Sequence, residues 1–367
     1  MINYNGQNLI AILREEFPNL VLKTDHSLAQ LTTVKIGGPA EVFCETKTSE
    51  EFINLVSFMR KNNLPLTLLG WGANTLISDK GIKGLVVKNI AQDITILDSY
   101  GHKDHEINKE EQEAIAARWQ SNSDKGTFTY EFKDLDYDES DQEKILVELD
   151  SGVSLPFAIN ILIQQGITGL QWYSRIPATV GGAIYNNIHG GTHFISEVIK
   201  SVKVIDEQGN TKVLNKIDLK AGYDVSRFHQ TNETIISATF ALYKGDADKA
   251  AYVAREWAIR KAIQPRKSLG CVFQNISNEV KDKLGYPTTS VGYIVEHILN
   301  KKGYQIGDAK ISEKHAAFIE NTGNATAKDY LEVIRTVIKQ TKEKTGIKLK
   351  PEIFFLGFDD SEISDLV

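Results

Sequence analysis

The sequence has few cysteines and no long hydrophobic run. Among its 367 residues there are two cysteines, Cys44 and Cys271, in unrelated contexts. Two such cysteines cannot build the disulfide framework of a small secreted domain, so reduced thiols in a cytoplasmic protein are the simplest interpretation. No stretch approaches the roughly 20 apolar residues of a membrane span. Residues 1–20 lack the basic and apolar regions of a signal peptide. They are instead predicted to form a short amphipathic helix.

An excess of positive charge is also absent. The chain has 42 Lys and Arg against 48 Asp and Glu, a formal net charge of -6. This balance argues against nucleic acid as the main partner. His189 and His193 have a spacing that metal sites use, but no third ligand lies near them in the sequence. The sequence therefore predicts no metal site and disfavours a metal-dependent hydrolase.

What is present is typical of a globular protein with more than one domain. Hydrophobic residues make up 41% of the chain, and 367 residues are too many for one ordinary core. Strands are predicted at 41–46, 65–70 and 84–89, with a helix after the first that Thr48 and Glu51 cap. The short connections favour a parallel β-α-β unit.

The segment 92–145 differs from its surroundings because it is dense in charge and poor in apolar periodicity. We interpret it as a solvent-exposed insertion with a helix and a hairpin, although a partner-binding role is an alternative. After residue 146 strands and helices are predicted again. One helix lies in 153–166 and ends at Gly166, and the last helix runs from a Thr326 cap to Gly346.

Three glycine-containing turns, at 32–40, 68–84 and 174–187, lie next to segments with the residue pattern of β-strands. Glycine lets backbone N–H groups approach a phosphate closely. One such turn is more simply structural, whereas three predict a long phosphorylated ligand, and a flavin dinucleotide fits. None of them matches G-x-G-x-x-G, so the ordinary dinucleotide fold is not supported.

Two acidic side chains in the last third of the sequence have open roles. Cys271, in "PRKSLGCVFQN", is either a buried small residue or a proton donor. Glu352 follows a proline in the predicted final strand and is either exposed or part of a site. The two meet only if that strand returns to the turn at residue 270, which sequence spacing alone cannot decide.

Six motifs in this order resemble the UDP-N-acetylenolpyruvoylglucosamine reductase family, also called UDP-N-acetylmuramate dehydrogenases. They are "TTVKIGGPA", "LGWGANTLISDKGIKGLVV", "IPATVGGAIYNN", "QPRKSLGCVFQN", "GYQIGDAKISEKHAAFIENTGNATAKD" and "LKPEIFFLG". The resemblance covers most of the chain outside 92–145. It implies an α+β fold: an FAD-binding domain of the vanillyl-alcohol-oxidase (PCMH) type in two lobes, with a C-terminal α+β substrate-binding domain. We assign 1–88 to lobe one, 89–264 with 347–367 to lobe two, and 265–346 to the substrate-binding domain.

The resemblance also implies a two-part reaction in peptidoglycan precursor synthesis. NADPH, as co-substrate, reduces the FAD, and the vinyl ether of UDP-N-acetylglucosamine enolpyruvate is then reduced to UDP-N-acetylmuramate. Hydride addition builds negative charge beside the substrate carboxylate, so the site needs donors for that charge and one proton donor. We expect a cytoplasmic enzyme that is a monomer or weak dimer.

Residue by residue, the resemblance implies a catalytic, a cofactor-binding and a substrate-binding set. The FAD-binding residues are Lys35, Gly37, Gly70, Gly72, Ala73, Asn74, Thr75, Pro177, Thr179, Gly181, Gly182 and Asn187. The substrate-binding residues are Tyr223 and Asn275. Glu352 matches the glutamate that assists at the enolate. Cys271 takes the place of the family's serine proton donor, and its ordinary pKa of about 8.5 suits that role.

Other positions depart from the family pattern. Asp224 stands where the family has an arginine that holds the enolate, and an aspartate there repels a carboxylate substrate. Arg227 is predicted to supply the missing cation, and Arg175, in place of a glycine, is a second candidate. Each is otherwise a surface or FAD-phosphate arginine. The loop "NNIHGGTHF" also differs. Two rival hypotheses stay open: a diverged flavoprotein with another substrate, and a non-catalytic nucleotide-sugar-binding protein.

Overall fold

A computed structural model describes residues 9–98, 101–114, 135–262 and 264–366. The strands in this part of the chain are β1 Lys23–Ser27, β2 Pro39–Thr46, β3 Leu66–Leu68, β4 Thr75–Ile77, β5 Ile82–Asn89, β6 Ile94–Leu97, β7 Lys103–Glu106, β8 Lys144–Asp150, β9 Ile167–Thr168, β10 His189–Gly190, β11 His193–Phe194, β12 Ile199–Ile205, β13 Thr211–Asn215, β14 Thr234–Lys244, β15 Ser268–Cys271, β16 Gln305–Ile306, β17 Ala309–Ile311, β18 Phe318–Asn321 and β19 Phe354–Leu356. The helices are Leu9–Glu16, Ser49–Lys61, Leu155–Gln164, Val180–Tyr185, Ala247–Lys261, Asn278–Leu284, Val291–Tyr293, Ala327–Thr345 and Asp360–Ile363.

The N-terminal sheet has the order β1-β2-β5-β3, and β5 pairs in parallel with both β2 and β3. The helix Ser49–Lys61 makes the crossover and buries Phe52, Leu55, Val56 and Met59. Its N-terminus is capped because Thr48 accepts a hydrogen bond from the backbone N–H of Glu51 at 3.1 Å. The predicted parallel β-α-β unit is confirmed.

A larger antiparallel sheet follows, in the order β13-β12-β14-β8-β6-β7, with β9 beside β14. Here the structure differs from the solvent-exposed insertion that we expected for 92–145. The strand β6 pairs with β8, and Ile94 and Ile107 are fully buried in the core. Four residues of β6 are too few for the sequence pattern to stand out among the flanking charges. The middle of that segment, 115–134, lies outside the described residues.

The C-terminal sheet has the order β15-β18-β17-β16 and packs against the helix Ala327–Thr345. The predicted caps of that helix are confirmed. Thr326 accepts from the N–H of Asp329 at 3.0 Å, and Gly346 ends the helix in the left-handed conformation at φ 76°. Tyr330 of this helix is completely buried, with its hydroxyl donating to the carbonyl of Ile319.

The last strand lies outside the C-terminal sheet and pairs with a strand of the N-terminal part of the chain. Here β19 pairs in parallel with β4. Just before it, the carbonyl of Lys350 accepts from the N–H of Gln274 at 3.0 Å. One short segment therefore contacts two sheets. The domain boundaries given above stay a prediction. Within the described ranges, no helix is both long and apolar enough to cross a membrane.

Candidate active site

A cavity of about 790 Å³ lies where the three parts of the fold meet. Its walls come from the loop after β3, the turn that leads into the helix Val180–Tyr185, the turn at 222–225, the start of β15 and the segment before β19. Ligand pockets typically measure roughly 300–1,000 Å³, so this cavity is large enough for an extended ligand.

The loop 70–75 presents backbone donors to the cavity. In the described part of the chain, the N–H groups of residues 70–74 have no hydrogen-bond acceptor. Gly72 is left-handed at φ 55°, and a Cβ there would lie 2.8 Å from the carbonyl oxygen of Leu31. Close packing thus requires glycine, and the row of free N–H groups suits an anion such as a diphosphate.

The second glycine turn forms the opposite wall. Gly181 donates its N–H to the carbonyl of Ser151 at 2.8 Å, and Thr179 accepts from the N–H of Gly182 at 3.2 Å. A Cβ on Gly182 would contact only the Thr179 hydroxyl, at 3.4 Å, so the space beside it is open. The buried Thr234 hydroxyl, also in the cavity wall, has no hydrogen-bond partner among the residues that the structure describes. The open cradle and the unsatisfied hydroxyl fit a bound dinucleotide.

Cys271 and Glu352 meet in the structure, because the final strand returns to the turn at residue 270. The N–H of Glu352 donates to the carbonyl of Val272 at 2.8 Å, directly after Cys271. On its other side, the Asn74 side chain donates to the Glu352 carbonyl at 3.4 Å. The final segment therefore returns to the turn at 270, and both acidic side chains line the same cavity.

The cavity perturbs the titration of three groups. Burial raises the pKa of Glu352 to about 7; Asp224 adds to the rise and His189 opposes it. The Cys271 thiol is exposed to the cavity yet closely surrounded by protein, and this burial raises its pKa to about 12, with Glu352 and Asp224 adding to the effect. Burial lowers the pKa of the Lys261 amine to about 8, and Cys271 opposes that shift. Such clusters mark functional sites.

Asp224 does not stand alone in the cavity. Its Oδ1 lies 3.1 Å from Nδ1 of His189, and both residues line the wall. The His189 ring contacts Tyr223 in a tilted arrangement with ring centroids 5.0 Å apart, and the Tyr223 hydroxyl is 3.5 Å from Nδ2 of Asn275. The two predicted substrate-binding residues, Tyr223 and Asn275, are thus neighbours at the edge of the site, although neither is part of the cavity wall.

The arginines predicted to replace the family's cation occupy different places. Arg227 donates through Nε and Nη2 to the Glu233 carboxylate at 2.8 and 3.1 Å, and through Nη1 to the Asp218 carbonyl. It is not among the cavity-lining residues. Arg175 does line the cavity, in a left-handed conformation at φ 64°. That conformation explains why glycine suits the position.

The remaining predicted cofactor residues divide into two groups. Those that line the cavity are Gly70, Gly72, Ala73, Asn74, Thr75, Pro177, Thr179, Gly181 and Gly182. The others support the loops from behind. Lys35 donates to the carbonyl of Gln30, Gly37 packs against Ile77, and buried Asn187 donates to the carbonyl of Gly222 at 2.6 Å.

Sequence reasoning gave no role to His189, and for Lys261 it suggested only contact with a phosphate of the ligand, with Lys267 as the alternative. The signal for His189 was its place after the "NN" that closes the second glycine turn, a loop that departs from the family pattern. Lys261 ends the helix Ala247–Lys261, and its sequence position does not show that its amine reaches Cys271.

The fold and the site together define a class of protein, and comparison with known proteins agrees. Residues 128–215 match a family model described as an FAD binding domain. This chain is a flavoprotein oxidoreductase with FAD as its cofactor, and the groups that would hold it are the glycine cradle, the N–H groups of residues 70–74, which bind no acceptor in the described ranges, and the Thr234 hydroxyl.

Residues 263–356 match the model of the UDP-N-acetylenolpyruvoylglucosamine reductase C-terminal domain. A reductase of that name from Caldanaerobacter subterraneus subsp. tengcongensis is 31% identical, over 95% of this chain and 98% of the relative. Another from Lachnoclostridium phytofermentans is 30% identical, over 94% and 97%. The chain belongs to the UDP-N-acetylenolpyruvoylglucosamine reductase family, as the motifs predict.

A solved structure shares the fold. The crystal structure of a UDP-N-acetylenolpyruvylglucosamine reductase from Thermus caldophilus superposes with a TM-score of 0.64 and 24% identity, covering 92% of this chain and 99% of the other. This likeness in fold and the FAD binding domain model matched by residues 128–215 together confirm the predicted α+β class with an FAD-binding domain of the vanillyl-alcohol-oxidase type.

Proposed function

We propose that this protein reduces UDP-N-acetylglucosamine enolpyruvate to UDP-N-acetylmuramate with electrons from NADPH. The observation that carries the proposal is the meeting of Cys271 and Glu352 in one cavity with the glycine-lined cradle. We place the reaction in the cytoplasm, in a monomer or weak dimer, as part of the same proposal. Bound FAD supplies the chemistry of hydride transfer.

Cys271 is proposed to donate the proton. With its pKa raised to about 12, the thiol stays protonated at neutral pH, so it acts as an acid and not as a nucleophilic thiolate. The proton passes to the substrate carbon that carries the carboxylate, where negative charge collects during reduction. Lys261 lies close enough to favour the thiolate that remains, which solvent then reprotonates.

Glu352 is proposed to stabilise the developing enolate. With a pKa of about 7 it is neutral on the acid side of pH 7, and a neutral carboxylic acid donates a hydrogen bond to negative charge. Its backbone bonds to Val272 and Asn74 fix it against both the Cys271 strand and the loop 70–75. This position supports a role at the reacting carbon.

The test is an anaerobic stopped-flow experiment on the purified flavoprotein. The flavin is reduced with NADPH, excess NADPH is removed, and UDP-N-acetylglucosamine enolpyruvate is added while flavin absorbance is followed. Rapid reoxidation with formation of the lactyl ether is the expected result. Flavin that is reduced by NADPH but ignores the enolpyruvate would point to the rival diverged flavoprotein, which the Asp224 replacement favours. No flavin reduction at all would refute both.

A further inference from the structure

Two cavity residues that the proposed reaction does not use, His189 and Asp224, form a pair. His189 belongs to β10, and Asp224 lies 35 positions later in the tight turn where the N–H of Gly222 donates to the carbonyl of Val225 at 2.9 Å. The side chain of Asp224 is 18% exposed and that of His189 34% exposed, so the pair is sheltered yet accessible from the cavity.

The surroundings of His189 fix its ring. Nδ1 is held by Asp224 at 3.1 Å, and the rings of Tyr223 and Phe194 lie 5.0 and 5.6 Å away on centroid distances. Within the described ranges, Nε2 has no hydrogen-bond partner. The Asp224 carboxylate accepts the Nδ1–H and balances the charge of a doubly protonated ring, and in that imidazolium Nε2 carries a second N–H that is left to donate.

The acidic side chains in the cavity wall explain why a hydrogen-bond donor is needed at this position. Asp224 and Glu352 both face the cavity, and the field of Asp224 contributes to the raised pKa of Glu352, while His189 lowers it. A substrate with a carboxylate and a diphosphate would meet two acidic groups if the imidazole were absent. The pairing converts Asp224 from a repelling charge into the support of a donor.

We propose that His189 is a further catalytic residue, which as an imidazolium donates Nε2–H to the carboxylate of the enolpyruvyl substrate, and that Asp224 is its positioning residue and counter-ion. This inference rests on the proposed function. Hydride adds to the methylene carbon, and the electron pair of the broken C=C π bond moves onto the carbon that bears the carboxylate and into its oxygens. The Nε2–H bond strengthens as that charge grows, until the proton of Cys271 neutralises it.

The experiment compares His189→Gln, Asp224→Asn and the double variant with the parent enzyme. His193→Gln is the matched control, because His193 pairs with Gly190 of the same hairpin but binds Asp136 at 2.8 Å and does not line the cavity. The two half-reactions are timed by anaerobic stopped flow, and affinity for UDP-N-acetylmuramate is measured by calorimetry.

For His189→Gln we expect about 10- to 100-fold slower reoxidation by the enolpyruvate and weaker product binding, which is the usual effect of losing one hydrogen bond to a charged group. Flavin reduction by NADPH should keep its rate. Asp224→Asn should slow reoxidation by about 10-fold with less effect on affinity, and the double variant should be no worse than His189→Gln, because the two residues act as a unit.

The outcomes separate this inference from the proposed function. If the parent enzyme does not reoxidise with the enolpyruvate, the proposed function fails. If the parent does and His189→Gln behaves like it, the inference is wrong. Equal slowing of both half-reactions would also overturn it, because the ring would then support the cofactor or the fold. Thermal melting checks folding; if His189→Gln does not fold, a parent-like rate in Asp224→Asn is the overturning result.

Discussion

Glu352→Gln should make the protein more stable at alkaline pH while it impairs the reaction. The pKa of Glu352 is raised from an ordinary 4.5 to about 7, chiefly by burial. Between these values the folded state holds a proton that the unfolded state has released. The free energy of unfolding therefore falls as pH rises from about 4.5 to 7, and it stays lower above that range.

The size of the effect follows from the shift. A difference of about 2.5 pKa units corresponds to roughly 3 kcal/mol at 1.36 kcal/mol per unit. Glu352 is only partly buried in solvent-accessible terms, so screening reduces the expected gain to about 1–2 kcal/mol. A glutamine carries no such penalty, because it is neutral at every pH.

The assay is urea unfolding at pH 5, 6, 7 and 8, followed by tryptophan fluorescence with FAD at one saturating concentration. The advantage of Glu352→Gln over the parent should be small at pH 5 and grow until about pH 8. Glu343→Gln, at an exposed position of the helix Ala327–Thr345, is the control and should show no such trend. A gain of equal size at pH 5 and pH 8, or a loss at pH 8, would show that desolvation of the carboxylate is not the cause.

Substitutions at four further positions test the site. Cys271→Ala should slow reoxidation of the flavin by the enolpyruvate by about 10²- to 10⁴-fold, which is the usual contribution of a general acid. Cys271→Ser should retain part of the rate. Reoxidation at the parent rate in Cys271→Ala would exclude the thiol as the proton donor. Gly182→Ala should fold normally, since its Cβ meets only ordinary contacts, yet bind FAD more weakly in a fluorescence titration, and unchanged affinity would place the cofactor elsewhere. Arg227→Ala should lower the free energy of unfolding in urea by about 1–3 kcal/mol, because the carboxylate of Glu233, whose side chain is 4% exposed, loses a partner. It should slow both half-reactions alike. Selective slowing of reoxidation would instead support the predicted catalytic role of Arg227. Arg175→Gly should raise the urea midpoint by relieving a left-handed non-glycine residue worth about 1 kcal/mol, and a lowered midpoint would contradict the strain.

Local features of the fold were predictable from the sequence because their causes are local. Thr48 and Thr326 cap the helices that follow them. Gly346 ends a helix because glycine readily adopts the left-handed backbone conformation that stops it. The glycine turns were recognisable for the same reason. Predicting that these turns line one cavity required several of them in a fixed order, and that order was recognised from the family resemblance.

Side-chain partners across long sequence separations were not predictable. The sequence places Arg227 three residues from Asp224 and suggests compensation, but its guanidinium turns to Glu233, whose carboxylate offers a bidentate partner. The true neighbour of Asp224 is His189, and only the packing of the hairpin against the turn at 222–225 brings them together. The short strand β6 was hidden by the charges around it.

The segment from Lys350 to Leu356 also fixes when the site can exist during synthesis. It hydrogen-bonds to Gln274 on one side and pairs as β19 with β4 on the other, and Glu352 lies between these two attachments. A nascent chain on the ribosome therefore has its glycine loops and its thiol long before it has its glutamate. The active site is complete only after Glu352 has been synthesised and the strand that follows it has paired with β4.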